Sequence, residues 1–289
     1  MKNLVIILIS LLSLAACEEY MDIDIEGSNE QKLVVEGMIT TDTTTHTVTL
    51  SRWNDFFEKG PQIMETGAMV TISDGENTIT LNEAEPGIYK TNSDVYGEIG
   101  KTYTLNIRLK NDSLFTASDK IVGLPEIDSL VPVYSAGFNP NAGRLTQGYY
   151  ITYYGYEPEG LGHYYLWDLY LDNVHINDSL QESVFTSDDF VDGSYIKDFE
   201  IFFIPEAEIV NDTTHVMVEM YSISKAYNDF LIGLLLETVW KGSPWDGPPA
   251  NAVSNVSNGA IGFFRASDKK TANTQIIKKQ APPDIADYR

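Results

Sequence analysis

One cysteine stands in 289 residues, at position 17. Without a second thiol no disulfide forms within the chain, so the fold rests on its core alone. Basic clusters are equally scarce, with 42 Asp and Glu opposing 19 Lys and Arg for a formal charge of -23. Such a surface repels phosphate backbones and anionic headgroups, which excludes nucleic acid as a partner. After the opening segment, no apolar run approaches the ~20 residues that a membrane-spanning helix needs. The four histidines, His46, His163, His175 and His215, show no two at ligand spacing. His-Glu-x-x-His, Gly-x-Ser-x-Gly and Walker-type loops are all missing. The sequence therefore nominates no catalytic residue, no cofactor site and no metal set, and it reads as a non-enzymatic chain.

What is present begins at the N terminus. Lys2 precedes a nearly unbroken apolar run from Leu4 to Leu14, and then come Ala15, Ala16 and Cys17. Charge, apolar run and small residues, in that order, make a secretory signal. Leu14-Ala15-Ala16-Cys17 resembles the bacterial lipobox, whose cysteine is acylated and becomes the first mature residue. Residues 1–16 are thus the expected signal peptide and Cys17 the expected lipidation site. Their removal deletes only Lys2, leaving 18 bases against 42 acids, or 18 − 42 = −24. Glu18 and Glu19, with Asp22, Asp24 and Glu26 behind them, read as a solvated acidic tether over 17–30.

From Gln31 the pattern turns to strands. The plainest is 101–110, where Tyr103, Leu105, Ile107 and Leu109 alternate with Thr102, Thr104, Asn106 and Arg108. Asp74-Gly75 between two β-branched runs signals a hairpin. Short strands at this spacing predict an Ig-like β-sandwich over 31–122. Gly123-Leu124-Pro125 marks a boundary. Beyond it a second β-rich domain is expected over 123–268, with strands near 149–156, 164–172, 199–204 and 216–221. Apolar residues at helical spacing from Ile223 to Val239 predict one long amphipathic helix over 222–240. It stops at Lys241-Gly242 with Pro244 beyond. Residues 269–289 read as a polar tail. The fold class is mostly β.

Acid pairs are weighed against ordinary loop chemistry. Asp188, Asp189 and Asp192 before Gly193 lack the spacing of an EF-hand, so a solvated loop is the expectation. Glu157 and Glu159 flank Pro158 as a turn. Paired carboxylates for glycoside hydrolysis are not located without geometry.

The ordered pieces resemble a known family. The lipobox, GIYKTNSDVYGEIGKTYTLNI at 87–107, the helix, and SPWDGPPANAVSNVSNGAIGFFRAS at 243–267 look together like the DUF4249 family of Bacteroidota lipoproteins. The resemblance implies an outer-membrane lipoprotein, lipid-anchored and facing the cell exterior. It implies as partner a SusC-like TonB-dependent β-barrel receptor, bound directly or through its cargo, and it defines no catalytic motif. It also recasts Glu18 and Glu19 as a surface-export signal. The expected function is that of an accessory protein of a TonB-dependent nutrient transporter; the alternatives are an adhesive surface module or, third, a surface hydrolase. Trp245, in the proline-stiffened 244–249 loop, is the first candidate partner contact, with packing on the core as its default use. Ser113, Ser129 and Ser179, in three Asp-Ser-Leu tripeptides, resemble Bacteroidota O-glycosylation acceptors. The alternative is plain turn formation through side-chain to backbone bonds.

Overall fold

The computed structural model describes residues 32–52, 62–139, 144–239 and 252–278. The first eight strands are β1 (Leu33–Thr40), β2 (Thr47–Arg52), β3 (Ile63–Met64), β4 (Met69–Ser73), β5 (Thr78–Glu85), β6 (Ile88–Lys90), β7 (Thr102–Arg108) and β8 (Leu114–Lys120). The alternation read in the sequence is realised in β7, where Tyr103, Leu105 and Ile107 are buried and Thr102, Asn106 and Arg108 are exposed. The Asp74-Gly75 hairpin joins β4 to β5. Asp74 Oδ1 accepts the amides of Glu76 and Asn77 at 3.0 and 2.6 Å, and Gly75 takes a φ of 93° that side chains rarely adopt.

These strands make one continuous, nearly closed sheet and not two facing Ig-like layers. Its order is β16-β1-β2-β6-β5-β4-β7-β8, with β3 on β2. The member that alters the architecture is β16 (Ile261–Ser267), from far along the chain, which lies parallel to β1 with Val34 opposite Ile261 and Thr40 opposite Ser267. The seam between β16 and β8 is clasped by side chains. Asn255 bonds the Ser118 carbonyl at 3.2 Å and both the carbonyl and the amide of Phe264, at 2.8 and 3.0 Å. Ser257 and Thr116 exchange main-chain and hydroxyl bonds, Asn258 reaches the Leu114 carbonyl, and Asp119 accepts the Ala266 amide. The Asn-Val-Ser-Asn-Gly segment is thus a closing clasp. Its own turn uses Asn258 and Gly259 at φ of 58° and 73°. Val35, Ile39, Val48, Leu50, Ile72, Leu105, Ile107 and Phe264 fill the interior.

Beyond Pro125 come β9 (Ser129–Asn139), β10 (Arg144–Tyr156), β11 (Tyr164–Leu171), β12 (Val174–His175), β13 (Val184–Ser187), β14 (Tyr195–Pro205), β15 (Thr213–Ile223), α1 (Lys225–Val239) and, after β16, β17 (Lys269–Ile277). A three-stranded sheet runs β14-β10-β9, and a five-stranded one runs β12-β11-β15-β17 with β13 also on β11. Their inner faces share a core of Tyr149, Ile151, Tyr153, Trp167, Leu169, Val216, Val218 and Ile204. The outer face of the five-stranded sheet gives Leu166, Tyr221 and Ile223 to Leu231 of α1.

Two expectations are corrected here. Residues 269–277 are not a loose tail but β17, fully paired with β15 from Tyr221↔Lys269 to Thr213↔Ile277. The segment is polar because only Ala272, Thr274 and Ile276 need turn inward, and Thr is at home on a pleated strand. The helix starts later than 222, since Ser222 and Ile223 belong to β15, opposite Tyr165 and Tyr164. It begins after Ser224, whose hydroxyl caps the Tyr227 amide at 3.2 Å. Nor is it sharply two-faced: Phe230 and Leu231 are buried while Ile232 and Leu236 are exposed. Among the described residues, no helix is long and apolar enough to cross a membrane.

Candidate functional site

Strands β10 and β11 are rich in Tyr, with Trp167 among them, and several of these rings are buried. Tyr149, Tyr153, Tyr165 and Trp167 all face the core. Only at the outer end of β10 does the pattern open to solvent. Tyr156 pairs with Tyr195 on the last rung of the β10–β14 ladder, their rings 4.7 Å apart at 57°. Both are well exposed.

Two loops meet at this end: 157–163, between β10 and β11, and 188–194, between β13 and β14. They are tied by hydrogen bonds. Glu157 N donates to the Ser194 carbonyl at 2.9 Å, and Gly193 N to the Pro158 carbonyl at 3.3 Å. Asp192 Oδ1 accepts the Gly160 amide at 2.6 Å. Asp188 Oδ2 accepts the amides of Gly162 and His163, each at 3.0 Å. Gly160 and Gly162 sit at φ of 108° and 113°, so glycine is what lets this loop curl over the carboxylates.

At the centre, His163 Nδ1 lies 3.0 Å from Asp188 Oδ2 and 3.4 Å from Glu157 Oε1. Both carboxylates are buried, at 0% exposure for Asp188 and 3% for Glu157. Tyr165 donates its hydroxyl to Glu157 Oε1. Burial pushes the Glu157 carboxyl up; the Tyr165 and His163 contacts pull it back, while Asp188 and Asp192 add repulsion. Burial alone would raise Asp188 too, but the His163 and Gly162 amides outweigh it and hold that group below the usual carboxylate range. Asp188 thus fixes the loops while Glu157 carries the less compensated charge.

The same loops display apolar side chains. Phe190 is 99% exposed and Leu161 69%. Phe190 rides on a tight turn, with the Val191 and Asp192 amides both bonded to the Asp188 carbonyl. Exposed Glu159, Asp189 and Asp192 surround these positions. The result is a stiff, acidic end tipped with aromatic and aliphatic groups.

Among the described residues, the expected sites Ser113, Ser129 and Ser179 lie on separate parts of the fold. Ser113 lies in the β7–β8 turn, where its amide takes the Asn111 side chain at 3.1 Å. Ser129 opens β9 and is exposed, while the Ser179 hydroxyl donates to Glu182 at 2.7 Å. The side-chain to backbone turn chemistry is therefore realised at Ser113, whereas the Ser179 bond joins two side chains. Cys17, Glu18, Glu19 and Trp245 lie outside the described residues. His175 stacks on Tyr170 at 4.7 Å, and His46 is buried in the first sheet. What sequence reading missed is Glu157–His163–Asp188, since spacings of 6 and 25 residues match no motif; its faint signal is three glycines, 160, 162 and 193, beside acids.

A second polar group is structural. Lys269 Nζ sits 2.6 Å from Glu219 and 3.0 Å from Asp42, and Tyr221 donates to Glu219 at 2.6 Å. The Arg265 guanidinium lies 4.6 Å over the Tyr221 ring. These contacts stitch β15 and β17 to the end of β1.

No curated protein matches this chain in sequence. The family described as "Domain of unknown function (DUF4249)" does match, over residues 18–273, and the chain belongs to that family.

Proposed function

We propose that this chain is a lipid-anchored accessory protein of the outer membrane, facing the cell exterior, that serves a TonB-dependent nutrient transporter of the SusC-like kind by binding the receptor or its cargo without catalysis. The lipobox-like Leu14-Ala15-Ala16-Cys17, with Glu18 and Glu19 next to it, supports attachment and export. The observation that carries the binding role is the tied loop end, where Phe190 is 99% exposed on a turn that hydrogen bonds hold rigid. A preorganised aromatic anchor loses little entropy on docking and suits contact with a protein surface. The acids around it, Glu159, Asp189 and Asp192, favour a partner whose rim is basic.

The test is copurification. Mild detergent extraction of the tagged chain is expected to bring down a large β-barrel, and Phe190→Ser with Leu161→Ser is expected to weaken that recovery at least about tenfold, as loss of a buried anchor does. Recovery of the wild-type chain alone at native abundance would refute the role.

A further inference from the structure

The Glu157–His163–Asp188 group is described so far as a hydrogen-bonded tie. Three observations go past that. The first is geometric. Zinc bonds of about 2.0–2.2 Å to nitrogen and carboxylate oxygen put tetrahedral ligand atoms about 3.3–3.6 Å apart. Here the ring nitrogen stands 3.4 Å from one carboxylate oxygen and 3.0 Å from the other, and all three atoms lie within 4.8 Å of one another. Both nitrogen–oxygen separations are within a few tenths of an ångström of that spacing, and the third pair needs only to close from within 4.8 Å.

The second is charge. Two carboxylates are buried side by side with one imidazole between them. Among the described residues, the charged groups that act on them are His163, Asp188, Asp192 and Glu157; no lysine or arginine pairs with either. Buried charge of one sign is costly unless a counter-charge meets it. The third is a hydroxyl. Tyr153 is 1% exposed, and its Oη has no hydrogen-bond partner among the described residues. Glu157 is the charged neighbour that acts on it most strongly. Gly155 leaves it room, because a Cβ there would stand 2.2 Å from the Tyr153 oxygen. A buried hydroxyl without a partner beside a carboxylate needs an acceptor such as a metal-bound water or that carboxylate's free oxygen.

We infer that Glu157 Oε1, His163 Nδ1 and an Asp188 carboxylate oxygen form a binding site for one divalent cation of the zinc class. A nitrogen with two carboxylates suits zinc and its first-row neighbours. Calcium, which takes six to eight oxygens, is excluded by the ring nitrogen and by the tight burial. Asp188 keeps its two amide bonds, because a carboxylate offers about four acceptor sites. Coordination through Nδ1 uses the imidazole in the form that carries its proton on Nε2. The ion would lock the two loops that carry Leu161 and Phe190.

The test uses the full chain in mild detergent, stripped with a chelator and titrated with Zn²⁺ alone by calorimetry. One equivalent is expected to bind with a dissociation constant of about 10 µM or tighter. Co²⁺ in its place is expected to give visible d–d bands, and Ca²⁺ and Mg²⁺ to give no saturable heat. His163→Ala is expected to abolish the site. Should that variant fold poorly, Glu157→Gln keeps the shape and an acceptor for Tyr165, and it is expected to weaken Zn²⁺ at least about tenfold. A wild-type chain that takes no Zn²⁺, or either folded variant binding one equivalent as tightly as wild type, would overturn the inference.

Discussion

Asp268 is the residue at which the chain passes from β16 to β17, and so from the first sheet to the third, with no loop between. It is 4% exposed. Its Oδ1 accepts the Thr41 hydroxyl at 2.7 Å and the Lys269 amide at 2.9 Å, and its Oδ2 accepts the Leu124 amide at 2.8 Å. Its main chain bonds Ser222 in both directions, at 2.8 and 3.0 Å. The carboxylate therefore joins the end of β1 to the connection from β8 to β9, while the main chain of the same residue holds β15. Replacement by alanine orphans the buried Leu124 amide and frees Thr41. Bonds to an ionised acceptor contribute about 1.5–3 kcal/mol each. Removing the costly burial of the charge offsets part of that, and Thr41 can turn elsewhere. Asp268→Ala is expected to destabilise by about 3–5 kcal/mol, a large share of the about 5–15 kcal/mol that holds a domain. Asp268→Asn keeps one oxygen but points an NH₂ at a donor, and about 2 kcal/mol is expected. Urea unfolding followed by far-UV circular dichroism measures both. An alanine variant within about 1 kcal/mol of wild type, or an asparagine variant as weak as alanine, would refute the junction.

Gly262 takes a φ of 98°, and a Cβ there would stand 2.0 Å from the Val35 carbonyl oxygen across the β1–β16 pair. Gly262→Ala is expected to cost upwards of about 3 kcal/mol, with thermal unfolding as the readout; an unchanged midpoint would remove the close approach from the argument. His46 is buried with Nε2 3.2 Å from the Val95 carbonyl, and burial lowers its pKa despite that bond and the nearby Asp42. A base depressed in the fold favours its neutral form, so its stabilisation is present above the ordinary value of 6.5 and is lost as pH falls toward the lowered value. Urea midpoints at pH 7.5 and 5.5 are expected to differ more in wild type than in His46→Gln, and equal slopes in the two would sink this assignment.

The sequence made some of this legible and hid the rest for physical reasons. The β7 alternation and the Asp74-Gly75 turn are local, and local patterns survive folding intact. The chain crosses from the first sheet to the second between β8 and β9, where the Leu124 amide donates to Asp268. What did not show was non-local. Nothing in LVVEGMIT announces that its second edge is completed by IGFFRAS, and that single pairing turns an expected sandwich into a nearly closed sheet. In β17 the inward face is too modest for hydropathy to reveal, since its neighbours supply the burial. The helix read long because apolar spacing in Ser222 and Ile223 fits a strand end as well as a first turn. Glu157, His163 and Asp188 come from two loops, and convergence of that kind is a property of the fold and not of spacing.

The parallel pairing of β1 with β16 bears on the order in which the chain is assembled. Val34 meets Ile261, a separation of 261 − 34 = 227 residues. Contacts of such high order are slow to form, because a long loop must close before they reward it. A chain made from its N terminus onward therefore holds β1 with one ladder edge open until nearly all of it has been synthesised. During that interval the strand is an exposed template for mispairing. A product cut short before residue 261 would keep that edge indefinitely. The last strand of the first sheet thus separates chains that extend through β16 from those cut short before it.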